Sequence, residues 1–99
     1  GLIMYELRYL PGAEKYFKKI KGKGLKEAFK AALLKISQNP YDGEPKSGDL
    51  SGVYCLDGYY NKTNYEIAYR IYEENGKIVV VILAGSRENF YKELKRYMQ

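Results

Sequence analysis

An arginine and a tyrosine stand four residues apart near the end of the chain, in the segment Arg87-Glu88-Asn89-Phe90-Tyr91. They follow the apolar run from Ile78 to Gly85, which predicts a strand that is buried on both faces. We therefore expect both side chains at the carboxyl end of that strand. A guanidinium beside a phenol can bind a phosphate group and hold a nucleotide in place. The spacing thus predicts a phosphate-handling site at one edge of a sheet.

The composition restricts the chemistry that such a site can use. The chain has no histidine, so the usual general base is absent and metal catalysis is not expected. Its single cysteine, Cys55, excludes an internal disulfide and a cysteine-based zinc site. We expect Cys55 to be a small buried residue, and we expect neither a metal nor a cofactor.

The length of 99 residues and the apolar content predict one domain over residues 1–99. The longest apolar run is far too short to span a bilayer, and the N-terminal residues lack the apolar core of a signal peptide. We therefore expect a soluble protein that acts in the cytoplasm and does not bind a membrane.

Positive charge is concentrated in one part of the chain. The formal net charge is +5, and residues 12–35 contain eight lysines but only two glutamates. Residues 40–57 have the opposite balance, with four acidic residues and one lysine. The lysines have two interpretations. They form the solvated face of amphipathic helices, or they form a surface that attracts a polyanion such as RNA or an acidic partner protein.

Hydrophobic periodicity predicts the elements that position these residues. A first strand is expected from Ile3 to Tyr9, followed by a helix that starts at Pro11-Gly12 and is ended by Gly22 and Gly24. A second helix is expected from Leu25, because its apolar residues recur at the spacing of one helix face. It should stop before Pro40, since the residue that precedes a proline avoids the helical conformation.

The remaining pattern predicts three more strands and a last helix. The strands are expected at residues 53–60, 64–72 and 78–83, and the helix at residues 88–98. A polar loop is expected over residues 40–52. The element order is therefore β-α-α-β-β-β-α.

The dipeptide Asn75-Gly76 lies between the last two predicted strands. Both residues tolerate positive φ, which predicts a β-hairpin with a type I′ turn there. The fold expected from all these elements is an α+β single domain. It has a mostly antiparallel four-stranded sheet, a helix pair on one face, and the strand at 78–83 in the sheet interior.

Four segments resemble, in the same order and with similar spacing, the motifs of the RelE/ParE superfamily of toxins. The segment from Leu34 to Pro40, which ends in Gln38-Asn39-Pro40, is similar to the end of the family's second helix, and Asp49-Leu50-Ser51-Gly52 to the entry of its second strand. Tyr65-Glu66-Ile67-Ala68-Tyr69 resembles the third strand, and Gly85-Ser86-Arg87-Glu88-Asn89-Phe90-Tyr91 resembles the ending. The resemblance covers nearly the whole chain and implies a RelE/ParE-like fold.

The resemblance implies a toxin of a type II toxin–antitoxin system whose partner is a cognate antitoxin. Many RelE-like members cut mRNA in the ribosomal A site without a metal, whereas ParE-like members inhibit DNA gyrase. A ribosome-dependent mRNA endoribonuclease, or mRNA interferase, is the first function implied, with the ribosome and mRNA as its targets. Two alternatives stay open. One is a toxin of the same fold that acts by binding, and the other is a non-toxic relative that binds a partner or RNA.

The resemblance also implies roles for individual residues. Arg87 matches the family arginine that stabilises the pentavalent phosphate, and Tyr91 matches the tyrosine that orients the nucleotide or takes part in proton transfer. The chain departs from the family at Glu66, where an arginine is usual. Arg70 lies on the same strand face. Glu66 is therefore either a general base supported by Arg70 and Arg87, or one half of a Glu66–Arg70 ion pair without a catalytic role.

Four further residues are candidates for RNA contact under the nuclease interpretation. Lys62, in the turn after the second long strand, can reach a phosphate, and Tyr59 can stack on a base. Lys92 and Lys95 belong to the basic C-terminal segment. RelE-like members place lysines on the second strand, here expected at residues 53–60. These lysines are missing in this chain, because Asp57 and Tyr59 occupy the comparable face.

Overall fold

A computed structural model describes residues 4–98 of the chain. The predicted α+β class is confirmed, and within these residues a mixed sheet has helices on both faces, of which only the pair on one face was predicted. The strands and helices are β1 Glu6–Tyr9, α1 Pro11–Lys19, α2 Lys23–Gln38, β2 Glu44–Pro45, β3 Tyr54–Tyr60, β4 Thr63–Tyr72, β5 Ile78–Ser86 and α3 Phe90–Tyr97. Ile3, where the first strand was expected to begin, lies outside the described residues.

The sheet has the strand order β1-β5-β4-β3-β2. Strand β5 lies between β1 and β4, which confirms that the apolar run belongs to the sheet interior. Strand β1 pairs with β5 in parallel, and the other neighbours pair antiparallel. The mostly antiparallel sheet is therefore confirmed.

One strand was not predicted. Residues 44–45 pair with Cys55 and Tyr54 of β3, so the sheet has five strands rather than four. Two residues are too few to show an alternating pattern, and Pro45 argues against a strand except at a sheet edge. The short strand matters because Lys46 follows it directly.

The helices lie on opposite faces of the sheet. Helices α1 and α2 pack against β4 and β5 around Phe29, Ile36 and Tyr69, and this confirms the predicted helix pair. Helix α3 packs on the other face through Phe90 and Leu94. None of the helices within residues 4–98 combines the length and apolar content needed to cross a membrane.

The sequence pattern had suggested that Gly24 ends α1, and this is wrong. Helix α1 ends at Lys19, and Gly24 lies inside the first turn of α2. A side chain at Gly24 would collide with the hydroxyl of Tyr60 on β3. The missing side chain thus allows a close approach between α2 and the sheet, where the sequence pattern indicated only a break.

A two-residue turn with positive φ at both residues is present, but not at the dipeptide for which it was predicted. A two-residue turn, Asn61-Lys62, joins β3 to β4, and its φ angles are 50° and 65°. The last residue pair between β4 and β5 is Tyr72 with Ile78. Asn75-Gly76 therefore lies in a longer loop, residues 73–77, in which only the glycine has positive φ. The hairpin predicted between these strands is therefore confirmed, but the type I′ turn at Asn75-Gly76 is wrong, because the connection is longer than two residues.

An irregularity in β5 aligns the ends of the central strands. Ala68 pairs with Leu83, but the next residue, Tyr69, pairs with Val81, so β5 has one extra residue there. Such a bulge turns the following residues and changes which face they occupy. Beyond it Glu66 pairs with Gly85, which brings β4 next to the segment that carries Arg87.

Candidate functional site

Glu66 is a carboxylate buried inside the sheet, and only 3% of its surface is exposed. It lies on β4 between Asp57 of β3 and Gly85 of β5. The strand alternates, so Glu66 shares the α3 face of the sheet with Ala68. A buried carboxylate is costly unless other groups compensate its charge. Tyr91 and Arg87, both near the end of the chain, do so in part.

Tyr91 and Arg87 both approach Oε1 of Glu66. The Tyr91 hydroxyl donates a hydrogen bond of 3.0 Å, and Nε of Arg87 lies 3.8 Å away. The side chain of Arg87 is 59% exposed, so its charge faces both Glu66 and solvent. The structure thus brings together Arg87, Tyr91 and Glu66, three of the four residues that the sequence proposed as catalytic.

The backbone between β5 and α3 places these two side chains. The N–H of Arg87 donates to the carbonyl oxygen of Asn64 at 2.8 Å, which holds the end of β5 against β4. Asn89 has a left-handed conformation, with φ of 62°, and α3 begins at the next residue. Tyr91 therefore lies in the first turn of α3 and turns its ring toward the sheet.

Arg70, the fourth predicted catalytic residue, is not brought to this site. It lies four residues along β4 from Glu66, a distance of about 13 Å at the usual strand rise. Its guanidinium packs over Gly52, where an added Cβ would lie 2.8 Å from Nη1. The sequence also allowed an ion pair between Glu66 and Arg70. Within the described residues 4–98 this pair does not form, and Glu66 pairs with Arg87 instead.

Lys46 and Glu44 belong to the site, although sequence reasoning missed both. Nζ of Lys46 lies 4.8 Å from the centre of the Tyr91 ring and 2.9 Å from Oε1 of Glu44. A loop without periodicity gives no signal for such a position. One clue was present, since Lys46 is the only cation among residues 40–57.

These side chains enclose a pocket of about 140 Å³ on the α3 face of the sheet. Liquid water occupies about 30 Å³ per molecule, so the pocket can hold a group of phosphate size. It contains three carboxylates against two cations. Its lining residues are Glu44, Lys46, Cys55, Asp57, Glu66, Arg87 and Tyr91.

The ionisation of the pocket follows from its burial. Burial raises the pKa of Glu66, although the Tyr91 hydrogen bond and the charge of Arg87 oppose the increase. Burial also raises the pKa of Tyr91 to about 12, so the phenol keeps its proton at neutral pH. Burial lowers the pKa of Lys46, but the Glu44 carboxylate and the Tyr91 phenol outweigh this and raise it overall.

Cys55 is buried, as predicted, although it lines the pocket. Burial raises the pKa of its thiol to about 11. A thiol that keeps its proton at neutral pH is a poor nucleophile. Within residues 4–98 no group of three or more His, Cys, Asp or Glu side chains is arranged to hold a metal ion.

The predicted RNA-contact residues lie around the pocket at different distances. Tyr59 is 68% exposed and shares a face of β3 with Asp57. Lys95 is one helical turn from Tyr91, and both border a shallow groove that also contains Lys46. Lys62, in the β3–β4 turn, and Lys92, on α3, are exposed but do not line the pocket.

A sequence model of one protein family matches residues 7–95. Its description is the ParE-like toxin of type II bacterial toxin–antitoxin systems. The match spans most of the chain, and the chain belongs to this family. The membership inferred from the four motifs is thereby confirmed. No curated protein sequence matches the chain significantly.

Solved toxin structures have the same fold. The RelBE2 toxin–antitoxin complex of Mycobacterium tuberculosis contains a chain that is 24% identical, with a TM-score of 0.68, over 86% of this chain and 100% of that chain. An arginine-substituted mutant of the E. coli toxin RelE in the free state is 23% identical, with a TM-score of 0.67, over 94% and 97%. The intact E. coli RelBE complex gives 23% identity and a TM-score of 0.64 over 82% and 94%. At these identities the likeness establishes the fold alone.

Proposed function

We propose that this toxin is a metal-independent endoribonuclease that cuts mRNA, with Glu66 as the proton acceptor and Arg87 as the phosphate ligand. One observation carries the proposal. A buried carboxylate faces a pocket in which an exposed guanidinium lies 3.8 Å away and a phenol 3.0 Å away. These are the groups needed to remove a proton from a ribose hydroxyl and to stabilise the charge that develops on phosphorus.

The reaction is an attack of the ribose 2′-oxygen on the adjacent phosphorus. Glu66 accepts the 2′-hydroxyl proton on Oε2, because Oε1 already accepts a hydrogen bond from Tyr91. A bond forms between the 2′-oxygen and phosphorus, and the bond from phosphorus to the 5′-oxygen of the next nucleotide breaks. That oxygen takes a proton from water, and the resulting hydroxide takes up the proton held by Glu66, which restores the carboxylate. The products are a 2′,3′-cyclic phosphate and a free 5′-hydroxyl.

The pair formed by Arg87 and Glu66 suits this role better than a purely structural one. Its separation of 3.8 Å is longer than a hydrogen bond, and the arginine is more than half exposed. An ion pair that served only to stabilise the fold would need close, fully paired geometry to offset the cost of burying Glu66. Arg87 can instead turn toward a phosphate without losing a strong contact.

The charge of the pocket supports a reaction on the ribosome, in the cytoplasm, rather than on free RNA. Three carboxylates and two cations give the pocket a net negative charge, which disfavours capture of a free polyanion. The whole chain is nevertheless basic, with a net charge of +5 that includes the pocket. A basic surface that binds ribosomal RNA would bring the mRNA to a pocket that attracts it only weakly.

We further propose an antitoxin as partner, since two of the similar structures are toxin–antitoxin complexes. An apolar groove of about 470 Å³ between α1, α2 and β1 is open to such a chain. Lys18, Lys26 and Lys30 border the groove, so an acidic amphipathic helix fits both its centre and its rim. Charge reversal at Lys26 and Lys30 should weaken the complex, whereas reversal at Lys21 and Lys35, outside the groove, should not.

A second candidate is a toxin that acts by binding its target without cutting RNA. The same excess of carboxylates in the pocket favours it, because Glu44, Asp57 and Glu66 disfavour a phosphodiester. In that case the pocket residues would contribute little to toxicity. The two candidates therefore differ in a single measurable property, which is the appearance of new RNA ends.

The test is induced expression of the wild-type chain, Arg87→Ala, Glu66→Gln and a control, Arg96→Ala, in a bacterial host. Arg96 is an exposed cation of α3 outside the pocket. Growth arrest with new mRNA 5′ ends is expected for the wild type and the control. Both pocket variants should lose about 100-fold or more in cleavage. Arrest without new ends would support the binding toxin, and no arrest from soluble protein would contradict both proposals.

A further inference from the structure

Lys46 is held over the pocket by two different groups. Its Nζ lies 2.9 Å from Oε1 of Glu44 and 4.8 Å from the centre of the Tyr91 ring. The side chain of Lys46 is only 19% exposed, whereas that of Glu44 is 74% exposed. The lysine is therefore confined to the site, while its carboxylate partner extends into water.

The backbone keeps Lys46 in this position. The N–H of Lys46 donates to the carbonyl oxygen of Val53 at 2.8 Å, directly after the pairing of Pro45 with Tyr54. Glu44 and Lys46 are two residues apart along an extended edge, so their side chains project to the same side. Their contact is formed by side chains alone, and it can break without any movement of the strand.

We infer that Lys46 is a second phosphate-binding cation of this pocket and that Glu44 competes with the phosphate for it. In the free protein Glu44 holds the ammonium group. When a nucleotide enters, its phosphate oxygens replace the Glu44 carboxylate, which returns to solvent. This inference deepens the proposed function, because it names a residue that binds the substrate and a residue that restrains it.

Exposure and charge make the exchange favourable. An exposed carboxylate gains little from its ion pair, since water solvates it almost as well, so its return to solvent costs Glu44 little. Lys46 is largely shielded from water, so it depends on an anion inside the pocket. The contact with the Tyr91 ring keeps the ammonium oriented toward the pocket during the exchange. Arg87 lines the same pocket and supplies the other cation.

The inference predicts effects of opposite sign for two neighbouring residues. Lys46→Gln should weaken phosphate binding, because one of two cations is lost. Glu44→Gln should strengthen it, because the competitor for Lys46 is removed. The double variant should resemble Lys46→Gln alone, since Glu44 acts through the lysine. Lys46→Arg should keep most of the affinity.

The experiment titrates inorganic phosphate and adenosine 3′-monophosphate into the purified full chain and follows binding by heteronuclear NMR. We expect about tenfold weaker binding for Lys46→Gln and about threefold tighter binding for Glu44→Gln. Two controls make the same changes of charge outside the pocket, Arg96→Gln and Glu93→Gln. Circular dichroism of each variant verifies that it is folded.

Four outcomes of the titration would overturn the inference. Three of them are unchanged binding by Lys46→Gln, equal gains for Glu44→Gln and Glu93→Gln, and a double variant that keeps the gain of Glu44→Gln. The fourth is the absence of binding by the wild type and by every variant. The predicted binding pattern without RNA cleavage by the wild type would leave the inference intact and contradict the nuclease. RNA cleavage that needs Arg87 but not Lys46 would support the nuclease and contradict the inference about Lys46.

Discussion

The hydroxyl of Tyr91 and the buried carboxylate of Glu66 are joined by a hydrogen bond of 3.0 Å across 25 residues of sequence. One group belongs to the first turn of α3, and the other lies in the middle of the sheet. The helix that closes the pocket therefore also satisfies the carboxylate inside it. The position of α3 and the ionisation of Glu66 are thereby coupled.

Tyr91→Phe is expected to destabilise the fold by about 1–3 kcal/mol, because a buried carboxylate oxygen loses its donor. Urea unfolding at neutral pH measures the change. The control is Tyr97→Phe on the same helix, since Tyr97 is 48% exposed. Equal losses for the two variants would show that the hydroxyl of Tyr91 contributes nothing specific to stability.

Glu66 should make the protein less stable as the pH rises. Burial raises its pKa in the folded chain, although the Tyr91 hydrogen bond opposes the increase. A carboxyl with a higher pKa in the folded state binds more protons there than in the unfolded state. The free energy of unfolding of the wild type minus that of Glu66→Gln should therefore fall from about pH 4 upward. Urea unfolding at a series of pH values tests this, and a rising difference would exclude burial as the main effect.

The contribution of Glu73 to the stability of the fold should change with pH in the opposite direction. Hydrogen bonds from Tyr41, Lys77 and Tyr5 lower the pKa of Glu73 to about 2. Its contribution to stability should be complete above the pKa of an unfolded glutamate, about 4.3, and disappear as the pH falls toward 2. Glu73→Gln should therefore be less stable than the wild type at neutral pH and equally stable near pH 2. Thermal unfolding from pH 2 to 7 measures the difference.

The adjacent exposed residue offers a matched control for that prediction. Glu74→Gln changes the charge by the same amount in the same loop, and within residues 4–98 no hydrogen bond or ion pair of Glu74 is present. It should leave the pH dependence of stability unchanged. If both variants behaved alike, the effect would come from net charge and not from the three hydrogen bonds.

Gly43→Ala is expected to destabilise the protein by about 1–3 kcal/mol through overpacking. A Cβ at Gly43 would overlap the Tyr69 hydroxyl and lie 3.2 Å from the carbonyl oxygen of Cys55. The tyrosine cannot move aside, because it is fully buried and donates a 2.6 Å hydrogen bond to the carbonyl oxygen of Pro40.

Two further variants complete this test. Gly58→Ala places a methyl group where nothing lies within 4 Å, so its effect on urea unfolding should be small. Tyr69→Phe removes the colliding hydroxyl, so Gly43→Ala should cost less in that background than in the wild type. A loss of equal size in both backgrounds would show that the collision is not the cause.

Local patterns in the sequence predicted most of the elements. The helical spacing of apolar residues located α2, and the run from Ile78 located β5 and its place inside the sheet. Arg87 and Tyr91 were predicted to lie together because only three residues separate them. Such predictions succeed where the decisive interactions join residues that are close in the chain.

Contacts between distant parts of the chain were not predictable in this way. The bulge between Ala68 and Tyr69, the short strand β2 and the position of Lys46 have no periodic signal. The choice of Arg87 rather than Arg70 as the partner of Glu66 depends on the rise of β4 and on the end of β5. The sequence alone determined the family, through the four motifs, and also the order of the longer elements and the proximity of Arg87 to Tyr91. The tertiary structure decided which charges meet in the pocket, because burial and pairing energies depend on neighbours that only the folded chain brings together.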